Sequence, residues 1–153
     1  MSQKKILLLF MHGEHVHSTQ TLSTRSGFAE QQCRSLCEQL GFEIDIRVLA
    51  ASSDVSGEIQ VLTQAIDALI VSNENFSGSA DSIAIEELRS FEMVTERGIP
   101  IVEVHEQNIF VKDDTRPYLD SPGIVAGLVS GMGQSSYLFA IRALASMMES
   151  NAV

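Results

Sequence analysis

Tryptophan is absent from the chain, tyrosine occurs twice and proline three times, and lysine plus arginine number 10 against 20 acidic residues. Each shortage excludes something. A formal net charge of -10 repels phosphate backbones, and no basic run of five residues opposes it, so no nucleic-acid partner is expected. The longest apolar run, Ile6 to Met11, is far too short to cross a bilayer, and the pattern of a cleaved leader is missing, so no membrane partner is expected. Cys33 and Cys37 stand four apart in a helical pattern, a spacing that rarely forms disulfides. They read as half-buried helix thiols in a reducing cytoplasm rather than as a metal pair.

What is present is a repeating alternation. The 153 residues are 44% hydrophobic and 20% charged, which suits a single domain over 1–153 with one core. Lys5 to Met11 is a continuous apolar strand, and Phe28 to Leu40 shows helical spacing stopped by Gly41. Phe42 to Val48 alternates strictly and is expected at a sheet edge. Asp54 to Ile66 predicts a helix, Ala68 to Ser72 a buried strand, and Asp81 to Arg97 a helix closed by Gly98. A strand opening at Ile99 and Pro100, another near Ile124 to Leu128, and a helix from Ser135 to Met148 complete the chain. Strands alternating with helices predict an α/β, flavodoxin-like three-layer sandwich with a five-stranded parallel sheet in the order 2-1-3-4-5.

Ligands of such folds gather at the carboxyl ends of the strands, and three polar loops are found there. "HGEHVH" follows the first strand, "NENFSGS" the third and "EQNIFVKDD" the fourth. Glu103 and His105 lie two apart at the end of strand four, so they share one face. A carboxylate beside an imidazole stabilises the imidazolium and fixes the ring, which suits a general acid; a buried histidine merely satisfied by its neighbour gives the same pattern. His12, Glu14, His15 and His17 crowd the first loop, but without the helical i, i+4 geometry of a zinc motif, so no metal site is assigned. The glycines of "GLVSGMG", Gly127 to Gly133, match no phosphate-loop spacing and are expected to serve close strand-to-helix packing.

The stretch "IPIVEVHEQNIF....R.Y.DSPGIVAGLVSGMGQSSYLFAIRALA" resembles the C-terminal half of the type II 3-dehydroquinate dehydratases. The resemblance implies their fold and their reaction, anti elimination of water from 3-dehydroquinate through an enolate, with no metal or organic cofactor. It implies a small cyclic hydroxy acid as ligand and a homo-oligomer, a trimer building to a dodecamer. His105 matches the general acid, and Glu103 the carboxylate that orients it. Asn108 matches the asparagine that follows a carboxylate-binding serine, and Gln107 stands in that serine's place. Arg116 matches an arginine that grips substrate hydroxyls, and Lys112 replaces a second arginine. Glu87, on the third helix, matches an acidic residue that reaches a neighbouring subunit's site.

The first half departs from the family pattern. Met11-His12-Gly13-Glu14-His15 replaces Asn-Gly-Pro-Asn-Leu, and the lid loop lacks its tyrosine and its arginine. Asn73 or Asn75 takes the place of the family's asparagine after strand three, while its histidine there has no counterpart. The acid half of the site is thus kept and the base half rewritten. Glu14, with His15, His12 or His17, is the candidate source of a new base, and Arg25 a stand-in for the lid arginine. Three readings follow, the first two being a lyase acting on 3-dehydroquinate or a related cyclic hydroxy-keto acid and a non-catalytic homologue that binds a small carboxylate. An oligomeric scaffold with no small ligand is the third and least economical.

Overall fold

The computed structural model describes residues 3–11, 30–49, 55–73, 85–111, 117–119 and 123–150. Among these, five strands and four α-helices alternate: β1 (Lys4–Met11), α1 (Glu30–Leu40), β2 (Phe42–Leu49), α2 (Val55–Leu62), β3 (Ala68–Ser72), α3 (Ile85–Glu96), β4 (Ile101–His105), β5 (Gly127–Ser130) and α4 (Ser135–Ser150). A 3-10 turn, Ile109–Val111, follows β4. The strands form one sheet in the order β2-β1-β3-β4-β5, every pair parallel. This is the flavodoxin-like α/β arrangement expected from the alternation.

Side-chain alternation divides the core into two layers. Ile6, Leu8, Phe10, Ala68, Ile70, Val102 and Val104 face α1 and α4, where they meet Cys33, Leu36, Cys37, Tyr137, Ile141 and Leu144. Leu7, Leu9, Met11, Leu69, Val71 and Ile101 face α2 and α3 and meet Ile59, Phe91 and Val94. Each fully buried Leu or Ile contributes roughly 1.5–3 kcal/mol relative to exposure. Strands buried on both faces read as unbroken apolar runs, and β1, β3 and β4 are indeed the central ones. The alternating β2 lies at the edge.

Boundaries moved where local bonds decide them. The predicted helix to Ile66 stops at Leu62: Thr63 Oγ1 donates back to the Ile59 carbonyl at 2.7 Å, and the Gln64 N–H bonds Val61, tightening the last turn. β4 begins at Ile101 rather than Ile99, because Pro100 has no N–H and only its carbonyl reaches Leu69. β5 runs Gly127–Ser130, not 124–128. The Ile124 carbonyl accepts from Thr95 Oγ1 at 2.8 Å, which ties it to α3, and pairing with β4 starts only where the Ala126 N–H reaches Ile101. The last helix extends two residues beyond Met148. Cys33 and Cys37 are fully buried rather than half-buried, since α1 is covered by both the sheet and α4.

Candidate active site

The site rises from the face of β4 that also carries Ile101. Alternation puts Glu103 and His105 on that face, towards α2 and α3. Parallel pairing sets Val71 beside Glu103 and Ser130 beside His105, so the histidine ends the strand and the glutamate lies one step deeper. Both are buried, Glu103 completely. The His105 Nε2–H donates to Glu103 Oε2.

A buried carboxylate without donors costs several kcal/mol, and this one is fully supplied. The backbone N–H of Tyr118 donates to Glu103 Oε2 at 2.7 Å, and that of Leu119 to Oε1 at 2.8 Å. Two amides and one imidazole therefore fix the carboxylate in its plane, and the carboxylate fixes the ring. Such a triad of bonds sets both the tautomer and the direction of a histidine.

Tyr118 extends the network. Its phenol donates to Glu87 Oε2 and also hydrogen-bonds Asn73. Its ring packs edge-on against Phe91 with centroids 6.5 Å apart. Burial first, then the charge of Glu87 and the hydrogen bond to it, push the phenol far above its ordinary range, so it stays protonated. Glu87, buried on α3, thus engages a tyrosine of its own chain.

The loop after β4 is stitched to the turn after β5. The N–H of Gly131 donates to the His105 carbonyl at 3.1 Å, and that of Gly133 to Glu106 at 2.9 Å. Ser130 Oγ donates to the Gln107 carbonyl and accepts from the Ile109 N–H, both at 3.2 Å. Asn108 Oδ1 accepts from the Phe110 N–H at 3.0 Å, a local Asx bond. Gly131 has φ +85°, and a Cβ there would meet Asn108 Cβ at 3.0 Å. This glycine, rather than Gly127, is the one the packing requires: a Cβ at Gly127 makes only ordinary contact, 3.8 Å from Met147. On the opposite face of the strand end, the Tyr137 phenol donates to Glu106 Oε2 at 2.8 Å and lies 3.4 Å from Ser72 Oγ.

Of the candidate residues, the structure brings together Glu103 and His105, and joins Asn73 and Glu87 to them through Tyr118. Gln107 and Asn108 are exposed on the adjoining loop. Glu14, His15, Asn75 and Arg116, with His12, His17, Arg25 and Lys112, lie outside the described residues, as does the metal reading of the first loop. Tyr118 and the Glu106–Tyr137 pair were not anticipated. Tyr118 stands in the quoted motif, but its contribution runs through a backbone amide, which no side-chain pattern reveals. Glu106 was legible in principle, as the residue that alternation turns to the other face beyond His105.

The family model for dehydroquinase class II matches residues 10–145. The chain belongs to that family. Among relatives of the dehydroquinases' sequence, the 3-dehydroquinate dehydratase of Thermoanaerobacter pseudethanolicus is 25% identical over 143 residues, covering 90% of this chain and 92% of its own. That of Pelotomaculum thermopropionicum is 26% identical over 117 residues, 76% of each. Among solved structures, a 3-dehydroquinate dehydratase-like protein from Bifidobacterium longum superposes with a TM-score of 0.69 at 17% identity, covering 95% of this chain and 98% of the other. The type II dehydroquinase of Propionibacterium acnes gives 0.66 at 18%, covering 94% and 98%. At such identity these structures speak for a shared dehydroquinase fold.

Proposed function

We propose that this class II dehydroquinase family member is a hydro-lyase that eliminates water from 3-dehydroquinate or a closely related cyclic hydroxy-keto acid through an enolate. The observation that carries the reading is the Glu103–His105 pair at the end of β4, with Glu103 clamped by the Tyr118 and Leu119 amides. Membership of the family supports it, as do relatives named for that activity.

The chemistry divides between two groups. His105 is the general acid: with Nε2–H committed to Glu103, the proton for the leaving hydroxyl comes from Nδ1, and the carboxylate stabilises the imidazolium that carries it. Gln107, Asn108 and Arg116 hold the substrate's carboxylate and hydroxyls, with Asn73 or Asn75 near the enolate. The base that takes the proton alpha to the ketone is not a tyrosine. Tyr118 is buried and held protonated, and Tyr137 is fully buried with its phenol on Glu106. The base is assigned to the loop after β1, to Glu14 with His15 as its neighbour. A positioned base or acid contributes typically 10²–10⁴-fold, so both halves are required for turnover.

The test is absorbance of the conjugated enone formed from 3-dehydroquinate. The wild-type chain is expected to turn over, and His105→Ala to lose at least about 10²-fold in kcat while keeping its circular dichroism. No enone from folded wild-type protein would rule out 3-dehydroquinate as the substrate and leave the related cyclic hydroxy-keto acids to be assayed in the same way.

A further inference from the structure

Tyr118 is tied to the site at both of its ends. Its main chain and that of Leu119 supply the two amides on Glu103, and its phenol is anchored to Glu87 on α3 and to Asn73 beyond the end of β3. The anchors are themselves buried: Glu87 and Asn73 are each 6% exposed and Tyr118 4%. Two amides aimed at one carboxylate must be held in register, because a hydrogen bond weakens steeply with angle. The described stretch around them, residues 117–119, belongs to no helix or strand, so ladder bonds do not hold it. The bonds of the phenol, the edge contact with Phe91 and the burial of Leu119 in the same core layer anchor it instead.

We infer that Tyr118 is a positioning residue for the acid half of the site: Glu87 and Asn73 grip its phenol, the grip keeps the Tyr118 and Leu119 amides on Glu103, and Glu103 in turn aims the His105 imidazole. The consequence for turnover rests on the dehydratase reading; the consequence for the imidazole does not. Glu87, which the family pattern directs to a neighbouring subunit's site, works here from behind its own chain's histidine.

The experiment compares the wild type with Tyr118→Phe, Glu87→Gln and Glu87→Ala by two measurements. Nitrogen-15 spectra of the histidine rings, with the His105 signals identified by their absence in His105→Ala, report tautomer and hydrogen bonding. The enone assay reports kcat and KM separately. Tyr118→Phe keeps the ring on Phe91 but drops the phenol oxygen. It is expected to perturb the His105 signals and to lower kcat about 10-fold or more with KM little changed, since displacements near 1 Å cost on the order of 10²-fold. Glu87→Gln retains an acceptor for the phenol and is expected to stay within about threefold of wild type, whereas Glu87→Ala should resemble Tyr118→Phe.

A Tyr118→Phe protein that melts earlier but shows unchanged His105 signals is a core tyrosine only, and overturns the inference. Should that variant fail to fold, Glu87→Ala decides by the same spectrum, changed signals supporting the inference and unchanged ones overturning it. If the wild type makes no enone, 3-dehydroquinate falls as the substrate, while the histidine spectra still decide the role of Tyr118.

Discussion

At Glu103 each carboxylate oxygen accepts an amide, and one of them also accepts the imidazole. Glutamine there cannot satisfy that set, because its NH2 must confront a donor. Glu103→Gln is expected to cost about 1–3 kcal/mol in urea unfolding, the usual penalty for an unsatisfied buried group, and to lower kcat more than it raises KM. A variant as stable and active as wild type would remove the orienting role. The cysteines give a second residue-scale expectation. Burial, reinforced at Cys33 by the charge of Cys37, pushes their thiols up to about 12 at Cys33 and about 11 at Cys37, from an ordinary 9.0. Between pH 9 and those values the unfolded chain has released protons that the folded chain retains, so stability is full below pH 9 and falls as pH rises through that window. Both thiols should ignore a disulfide reagent at pH 8 in the folded protein and react on unfolding; reaction of native protein would contradict the burial.

Elements were legible in the sequence to the extent that hydrophobic pattern alone determines them. Ala68–Ser72 is apolar throughout because both its faces are covered, and its limits coincide with the expected ones. β5 was misplaced because Ile124 is apolar for a different reason, burial beside α3, and pattern does not tell a sheet position from a loop side chain packed under a helix. The Glu103–His105 pairing was legible for a geometric reason, the two-residue period that puts both side chains on one face. The amide clamp was not, since it joins residues fifteen and sixteen positions apart through backbone atoms. The turn after β5 carries the prediction at this scale. Gly131→Ala places a side chain at φ +85° and 3.0 Å from Asn108 Cβ, so about 1–2 kcal/mol of stability should be lost. The displaced loop should also raise KM more than it lowers kcat. Unchanged KM would dissociate this loop from ligand binding.

The molecule as a whole carries a formal charge of -10, and no helix among the described residues is long and apolar enough to cross a membrane. The assembly that the family resemblance implies, a trimer building to a dodecamer, would bring many such chains together, and self-repulsion would oppose it. Sedimentation is expected to show the oligomer, with its fraction rising as salt goes from roughly 0.01 to 0.15 M and the Debye length shrinks from about 30 to about 8 Å. A monomer at all salt concentrations would contradict the assembly and, with it, a role for Glu87 in a neighbouring subunit's site. The division of labour in the site can be read in one experiment, since removal of the alpha proton and loss of the hydroxyl are separate events across an enolate. The decisive measurement is proton NMR of 3-dehydroquinate in D2O with the wild type and with His105→Ala. The account predicts that the variant still exchanges the alpha proton for deuterium, driven by the loop base, while elimination stops. Loss of exchange together with elimination, or elimination that persists without His105, would contradict the assignment of His105 as the acid.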